Sequence, residues 1–349
     1  MEGYALADIL TLADDECATL WRGLRLGYTE SAGHPLLRAE IARLYERITP
    51  VETLTFAGAE EAIFVLMHAL LGPGDHAVVT WPAYQSLHEV ARATGADVDF
   101  LRLSEDTGWA LELDALQRLL RPTTRLIVVN FPHNPTGTLP SAETFRALAE
   151  MARYAGCRLV SDEVYRGLEY RESDRLPAAC DLYEHAISIG VMSKAYALAG
   201  LRVGWIATRD AEVLSRAAAL KDYTTICNSA PSEVLALIAL RAKERVLARS
   251  HGIIARNLPL LDDFFDRWAH AFAWTRPRAG SVAFPRLTAG GGIELFAAEL
   301  VEQTGVLIAP GSLFGHEGEH FRLGFGREDL PDALRELDQF AADRFGRAG

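Results

Sequence analysis

The sequence predicts an α/β protein: a large domain with a mostly parallel sheet flanked by helices, and a smaller α+β domain beside it. Three observations carry that expectation. The apolar, β-branched runs RLIVVNF (125–131), CRLVSD (157–162) and HAISIG (185–190) are separated by segments of helical period, and strands alternating with helices argue for parallel pairing. The polar residues Asn134, Asp162 and Lys194 fall at or just beyond the carboxyl ends of those strands, the rim where an open α/β sheet binds ligands. After a helical run over 229–250 the regular alternation stops, and helix and strand signals mix in a shorter stretch.

In chain order, LADDECATLWRGL (12–24) reads as a helix packing against the smaller unit. LTF (54–56) is strand-like, AEEAIFVLMHAL (59–70) is helical and HAVVTW (76–81) is the next strand, followed by the three runs named above. NLPLLDDFFDRWAHAF, FAWTRPRAGSVAFPRL, VEQTGVLIAP, HFRLGFG and LPDALRELDQFAADRF complete the C-terminal part. Residues 34–245 are therefore expected to form the large domain, with 1–33 and 246–349 a discontinuous small one and the cleft between them. At 349 residues and 49% hydrophobic, the chain can bury two cores.

Net charge is −12, from 47 acids against 35 bases, which disfavours nucleic acid and anionic membranes as partners. Cys17, Cys157, Cys180 and Cys227 lack metal-ligand spacing and read as reduced thiols, so a cytoplasmic setting is expected. MEGYALADILTLADDE has no basic leader region, and SEVLALIALRAKER is too short and charged to span a bilayer.

Lys194 is one of only three lysines, with Lys221 and Lys243, and it sits in the apolar run VMSKAYALAGLRVGW. An amine partly removed from water is suited to attack an aldehyde and then to shuttle a proton. Pyridoxal phosphate uses both roles. A buried Asp162 would need a cation, which a protonated pyridine nitrogen supplies. Asn134 and Tyr165 can both donate to a ring hydroxylate. The turn Gly58-Ala59-Glu60 opens the helical run with free amides suited to a phosphate, Arg202 offers a guanidinium fork, and Tyr84 in WPAY can stack on the ring.

The ordered series FAGAEEA, WPAY, NFPHNPTG, SDEVY, SKAYALAGLRVGW, PGSLF and HFRLGFG resembles the class I/II aminotransferases, fold type I pyridoxal-phosphate-dependent enzymes, from about Tyr28 to Phe325. The resemblance implies that Lys194 holds the cofactor, Asp162 partners the pyridine nitrogen, and Asn134 and Tyr165 bind the ring hydroxyl. It also implies that Arg202 with the Gly58-Ala59-Glu60 turn binds the phosphate, Tyr84 stacks, and Arg322 clamps the substrate α-carboxylate beside Asn134. Tyr28 corresponds to a tyrosine that reaches the phosphate of a neighbouring subunit, implying a homodimer with shared sites. Three positions depart from the family pattern. Glu60 replaces a hydroxyl residue and should turn its carboxylate away from the phosphate; Val191 replaces a frequent hydroxyl, for which Ser193 is the candidate substitute; and MEGYALADIL stands where the family carries a glycine-bearing segment.

His316-Glu317-Gly318-Glu319-His320 spells the HExxH zinc signature. Gly315 before it, Gly318 inside it and the strand-like FRLGF after it argue for a loop instead. The reaction these features imply is ping-pong transfer of an amino group from an amino acid to a 2-oxo acid, with no metal. A lyase, cyclase or amino-acid oxidase on the same fold would share every cofactor ligand. A regulatory pyridoxal-binding domain would need a basic helix-turn-helix, which the acidic N-terminal stretch does not offer.

Overall fold

The computed structural model describes residues 1–346. Its main sheet contains β1 (Thr53–Phe56), β2 (His76–Trp81), β3 (Asp97–Arg102), β4 (Thr124–Asn130), β5 (Arg158–Asp162), β6 (Ala186–Val191) and β7 (Gly204–Ala207). Their order is β1-β7-β6-β5-β4-β2-β3. The strands β3, β2, β4, β5 and β6 pair in parallel, whereas β7 runs antiparallel to β6 and β1 antiparallel to β7. The expected mostly parallel sheet is therefore present.

Alternate side chains of each strand enter different cores, as the two-residue period of a pleated strand requires. Val79, Leu126, Val128 and Val160 pack under helices 59–70, 86–93 and 211–221. Their neighbours Val78, Ile127, Val129 and Leu159 join Phe145 and Leu148 of helix 142–155 on the opposite face. That helix is bounded by an N-cap serine, Ser141, which accepts from Thr144 N at 3.0 Å, and by Gly156 in a left-handed conformation.

The expected continuous helix over 229–250 is instead two helices, Ala230–Arg241 and Lys243–Arg267, meeting at Ala242. The first is buried at every position from Glu233 to Leu240. The second buries only a stripe that includes Val246, Ser250, Ile253, Ile254 and Asn257. The break lets one helix run through the core and the next lie along its surface. Beyond them, β8 (Phe272–Ala273), β9 (Val282–Ala283), β10 (Arg286–Leu287), β11 (Ala309–Pro310) and β12 (Phe321–Gly324) form two small sheets, β11-β12-β9 and β10-β8. Among the described residues no helix is long and apolar enough to cross a membrane, and all four cysteines are free thiols.

Candidate active site

Adjacent strand ends create the site. Asn130 closes β4 in register with Asp162, which closes β5, and β6 ends beside them at Val191. The buried Asn130 amide donates to Asp162 O at 2.9 Å, and its oxygen accepts from Asn134 N at 2.7 Å. One side chain thus ties the NFPHNPTG turn to the end of β5. Sequence reasoning missed this role, although an asparagine ending a β-branched strand was the available signal.

A cleft of about 450 Å³ opens over this rim. Asn134, Asp162, Tyr165, Ser193 and Lys194 line it from the strand ends. Ala59, Glu60, Tyr84 and Arg202 line one side, and Arg322 reaches in from β12. The structure therefore brings together every expected side chain of this chain's own site. Tyr28 does not line the cleft; it is 89% exposed.

Asp162 is 3% exposed, and its carboxylate receives one hydrogen bond from the described residues, from Val164 N at 3.1 Å. Burial pushes its carboxyl up to about 7, against the opposing pull of that bond and of Lys194. Among the described residues no side chain forms an ion pair with Asp162. Lys194 Nζ lies 5.7 Å from the centre of the buried Tyr165 ring.

At the other end, Gly58 precedes helix 59–70 with φ 89°, and a Cβ there would fall 2.4 Å from the Arg202 guanidinium. Gly204 is equally constrained, since its Cβ would lie 2.5 Å from the Gly58 carbonyl carbon. These two glycines let the guanidinium and the helix N-terminus converge. Arg202 Nη1 is held 3.1 Å from Ala199 O and 3.4 Å from Ser193 Oγ. Glu60 turns its carboxylate to the Ser86 hydroxyl and beside Tyr84, whose phenol is raised by burial and then by that carboxylate. The amide of residue 60 remains at the helix start.

Arg322 donates to Asn134 Oδ1 at 3.1 Å and lies over the Phe314 ring at 4.8 Å. The bond fixes the Asn134 amide so that its NH2 group is left for another acceptor. Phe314 was not foreseen, because a phenylalanine in PGSLF reads only as core. The HEGEH segment joins no helix and lies immediately before β12, as a loop.

These groups fit pyridoxal phosphate. A buried carboxylate with no ion-pair partner among the described residues, an amine, and a guanidinium set against free helix amides match its pyridine nitrogen, aldehyde and phosphate. The family model for aminotransferase class I and II matches residues 12–336. Capreomycidine synthase of Streptomyces vinaceus is 32% identical over 311 residues, 88% of this chain and 79% of that protein. The crystal structure of a PLP-dependent aminotransferase from Streptococcus suis superposes with a TM-score of 0.92 at 30% identity, covering 99% of this chain and 92% of that one. The PLP-dependent cyclase OrfR superposes with a TM-score of 0.89 at 31% identity, covering 98% and 91%.

Proposed function

The chain belongs to the class I and II aminotransferases, pyridoxal-phosphate-dependent enzymes of fold type I, and on that premise we propose that it transfers the amino group of a cation-bearing amino acid to a 2-oxo acid in ping-pong order. The observation that carries the reading is the convergence of Lys194, Asp162, Arg202 and Arg322 on one cleft. Bound pyridoxal phosphate supplies an aldehyde that captures amines and a pyridinium ring that accepts the electron pair left when Cα loses its proton. Lys194 would hold the cofactor between turnovers and, when its amine is free, would take the Cα proton on Nζ. Asp162 keeps the pyridine nitrogen protonated. Asn134 and Tyr165 donate to the ring hydroxyl, and Tyr84 covers the ring face. Arg202, Ser193 and the amides of the Gly58-Ala59-Glu60 turn hold the phosphate. Arg322, steadied by Asn134 and Phe314, clamps the substrate α-carboxylate.

Charge matching supports the choice of substrate. With Lys194, Arg202 and Arg322 all engaged, the cleft's one carboxylate without a cofactor partner is that of Glu60. A side-chain ammonium or guanidinium would meet it beside Tyr84, while a second substrate carboxylate would be repelled. Arginine, ornithine and lysine are therefore expected to exceed aspartate as donors by roughly tenfold or more in kcat/KM, and Glu60→Gln to shrink the ratio. An amino-acid and oxo-acid panel with product identification tests both the reaction and the substrate class. Equal or better turnover of aspartate would refute the cationic assignment.

The similarity to OrfR and to capreomycidine synthase favours one second reading, cyclisation of the amino acid on the same cofactor. The same panel separates the two, because a cyclase releases a ring product without needing an oxo acid.

The domain division at 34–245 is retained in this reading, as are a reducing cytoplasmic setting for the four free thiols and a two-fold homodimer. Ser31 Oγ donates to Asp222 Oδ1 at 3.0 Å and Ile226 O at 2.8 Å, joining segment 26–31 to segment 222–226. Leu26, Tyr28, Tyr223 and Ile226 stand exposed on these segments, an apolar surface suited to a second copy. Sedimentation should give a dimer at assay concentration. Tyr28→Phe should weaken cofactor retention several-fold; an active monomer would rule out shared sites.

A further inference from the structure

The HEGEH loop does no chemistry in the reaction above, yet it crosses between the two parts of the protein. His316 Nε2 lies 2.8 Å from His320 Nδ1, and His320 Nε2 lies 3.3 Å from Glu105 Oε2. The same oxygen accepts from Arg286 Nε at 2.8 Å. Glu105 belongs to the turn 105–107 after β3, at the edge of the main sheet, whereas Arg286 lies on β10 and His320 immediately precedes β12.

The His320 ring is 4% exposed. It is stacked on Phe284 at 5.0 Å and 18°, and Trp109 meets its edge at 5.3 Å. Burial first, then the adjacent His316, lowers His320 to about 4 against the upward pull of Glu105. Burial also lowers His316, with Glu105 and Glu317 opposing and Arg102 assisting. With both imidazoles neutral, His316 donates from Nε2 to His320 Nδ1, and His320 Nε2 packs against Glu105 without a hydrogen bond to it.

The loop touches the main sheet a second time. A Cβ on Gly315 would lie 1.7 Å from the Trp81 indole, so the backbone rests directly on the residue that ends β2. Immediately before Gly315, Phe314 sits beneath the Arg322 guanidinium. The strand carrying Arg322 has four residues and pairs with two-residue strands, so its own ladder offers little resistance to sliding. Its placement depends on what holds the loop.

We propose that Glu105 and His320 are positioning residues for Arg322, forming a brace that sets the clamp strand at a fixed distance from the cofactor rim. The inference rests on reading Arg322 as the α-carboxylate clamp. A shift of about 1 Å in such a group can cost up to about a hundredfold.

In the holoenzyme, Glu105→Ala and His320→Asn should each raise KM for the amino donor about tenfold, with kcat within about twofold and bound-cofactor absorbance retained. Glu105→Gln keeps an acceptor oxygen and should recover most of the loss. Combined with Arg322→Lys, either brace variant should raise KM by less than the product of the single effects. If Arg322→Lys raises KM while neither brace variant does, or if the effects multiply, the brace is refuted and the clamp stands. Lower thermal stability with KM unchanged would likewise reduce the loop to a structural element. If Arg322→Lys leaves KM unchanged, the clamp reading itself falls.

Discussion

Lys194→Ala is expected to lower kcat by at least about four orders of magnitude, because one substitution removes both the group that holds the cofactor and the base that takes the Cα proton. Borohydride reduction of the wild-type holoenzyme should fix the pyridoxyl group on Lys194. The other lysines are placed for different work. Lys221 is fully buried and donates to the Ser31 carbonyl, and Lys243 lines a separate cavity with Tyr45 and Trp205. Peptide mapping that found the label on either of these, or substantial turnover by Lys194→Ala, would remove the basis of the active-site assignment.

Asp162→Ala should lower kcat by about two to four orders of magnitude while the cofactor still reacts with Lys194, since the loss falls on stabilisation of the carbanion. Near-wild-type turnover would make Asp162 a structural residue. The same carboxyl predicts a pH effect on the cofactor-free protein. Its folded value is raised from 3.8 to about 7, so the folded state binds more protons than the unfolded chain between those limits. Its favourable contribution is complete below about pH 4 and is lost as pH rises through 7, a change on the order of 4 kcal/mol. Cofactor-free Asp162→Asn should therefore melt above cofactor-free wild type at pH 8, with the gap narrowing towards pH 4. Denaturation scans at the two pH values check the sign; a gap that widens on acidification would contradict it.

Much of this was legible in the sequence because the informative residues contradict their surroundings. A lysine in an apolar run, an acid ending CRLVSD and an arginine beyond HEGEH each require a partner, and the three residues lie around one cleft. The runs of β4, β5 and β6 were equally plain, being buried on both faces. What escaped notice has physical reasons. The edge strand β3, DVDFLR, alternates acids with apolar residues and is mostly not buried, so it lacks the continuous apolar signature. The four residues of β7 are too few for a period and follow a left-handed residue, Arg202. The links from Asn130 to Asn134, from Phe314 to Arg322 and from Glu105 to His320 join residues whose proximity depends on tertiary packing.

Apart from Tyr28, the groups we assign to the cofactor are drawn from residues 58 to 202, whereas the arginine we assign to the substrate arrives much later in the chain, on β12. Inheritance can therefore act on the two halves of the site independently. Substitutions at Glu60 or in the C-terminal segments can redirect which amine is admitted while the electron sink stays intact. Drift at Asp162, Lys194 or Arg202 endangers every reaction the scaffold supports. A lineage built this way can diversify its metabolites without reinventing its chemistry.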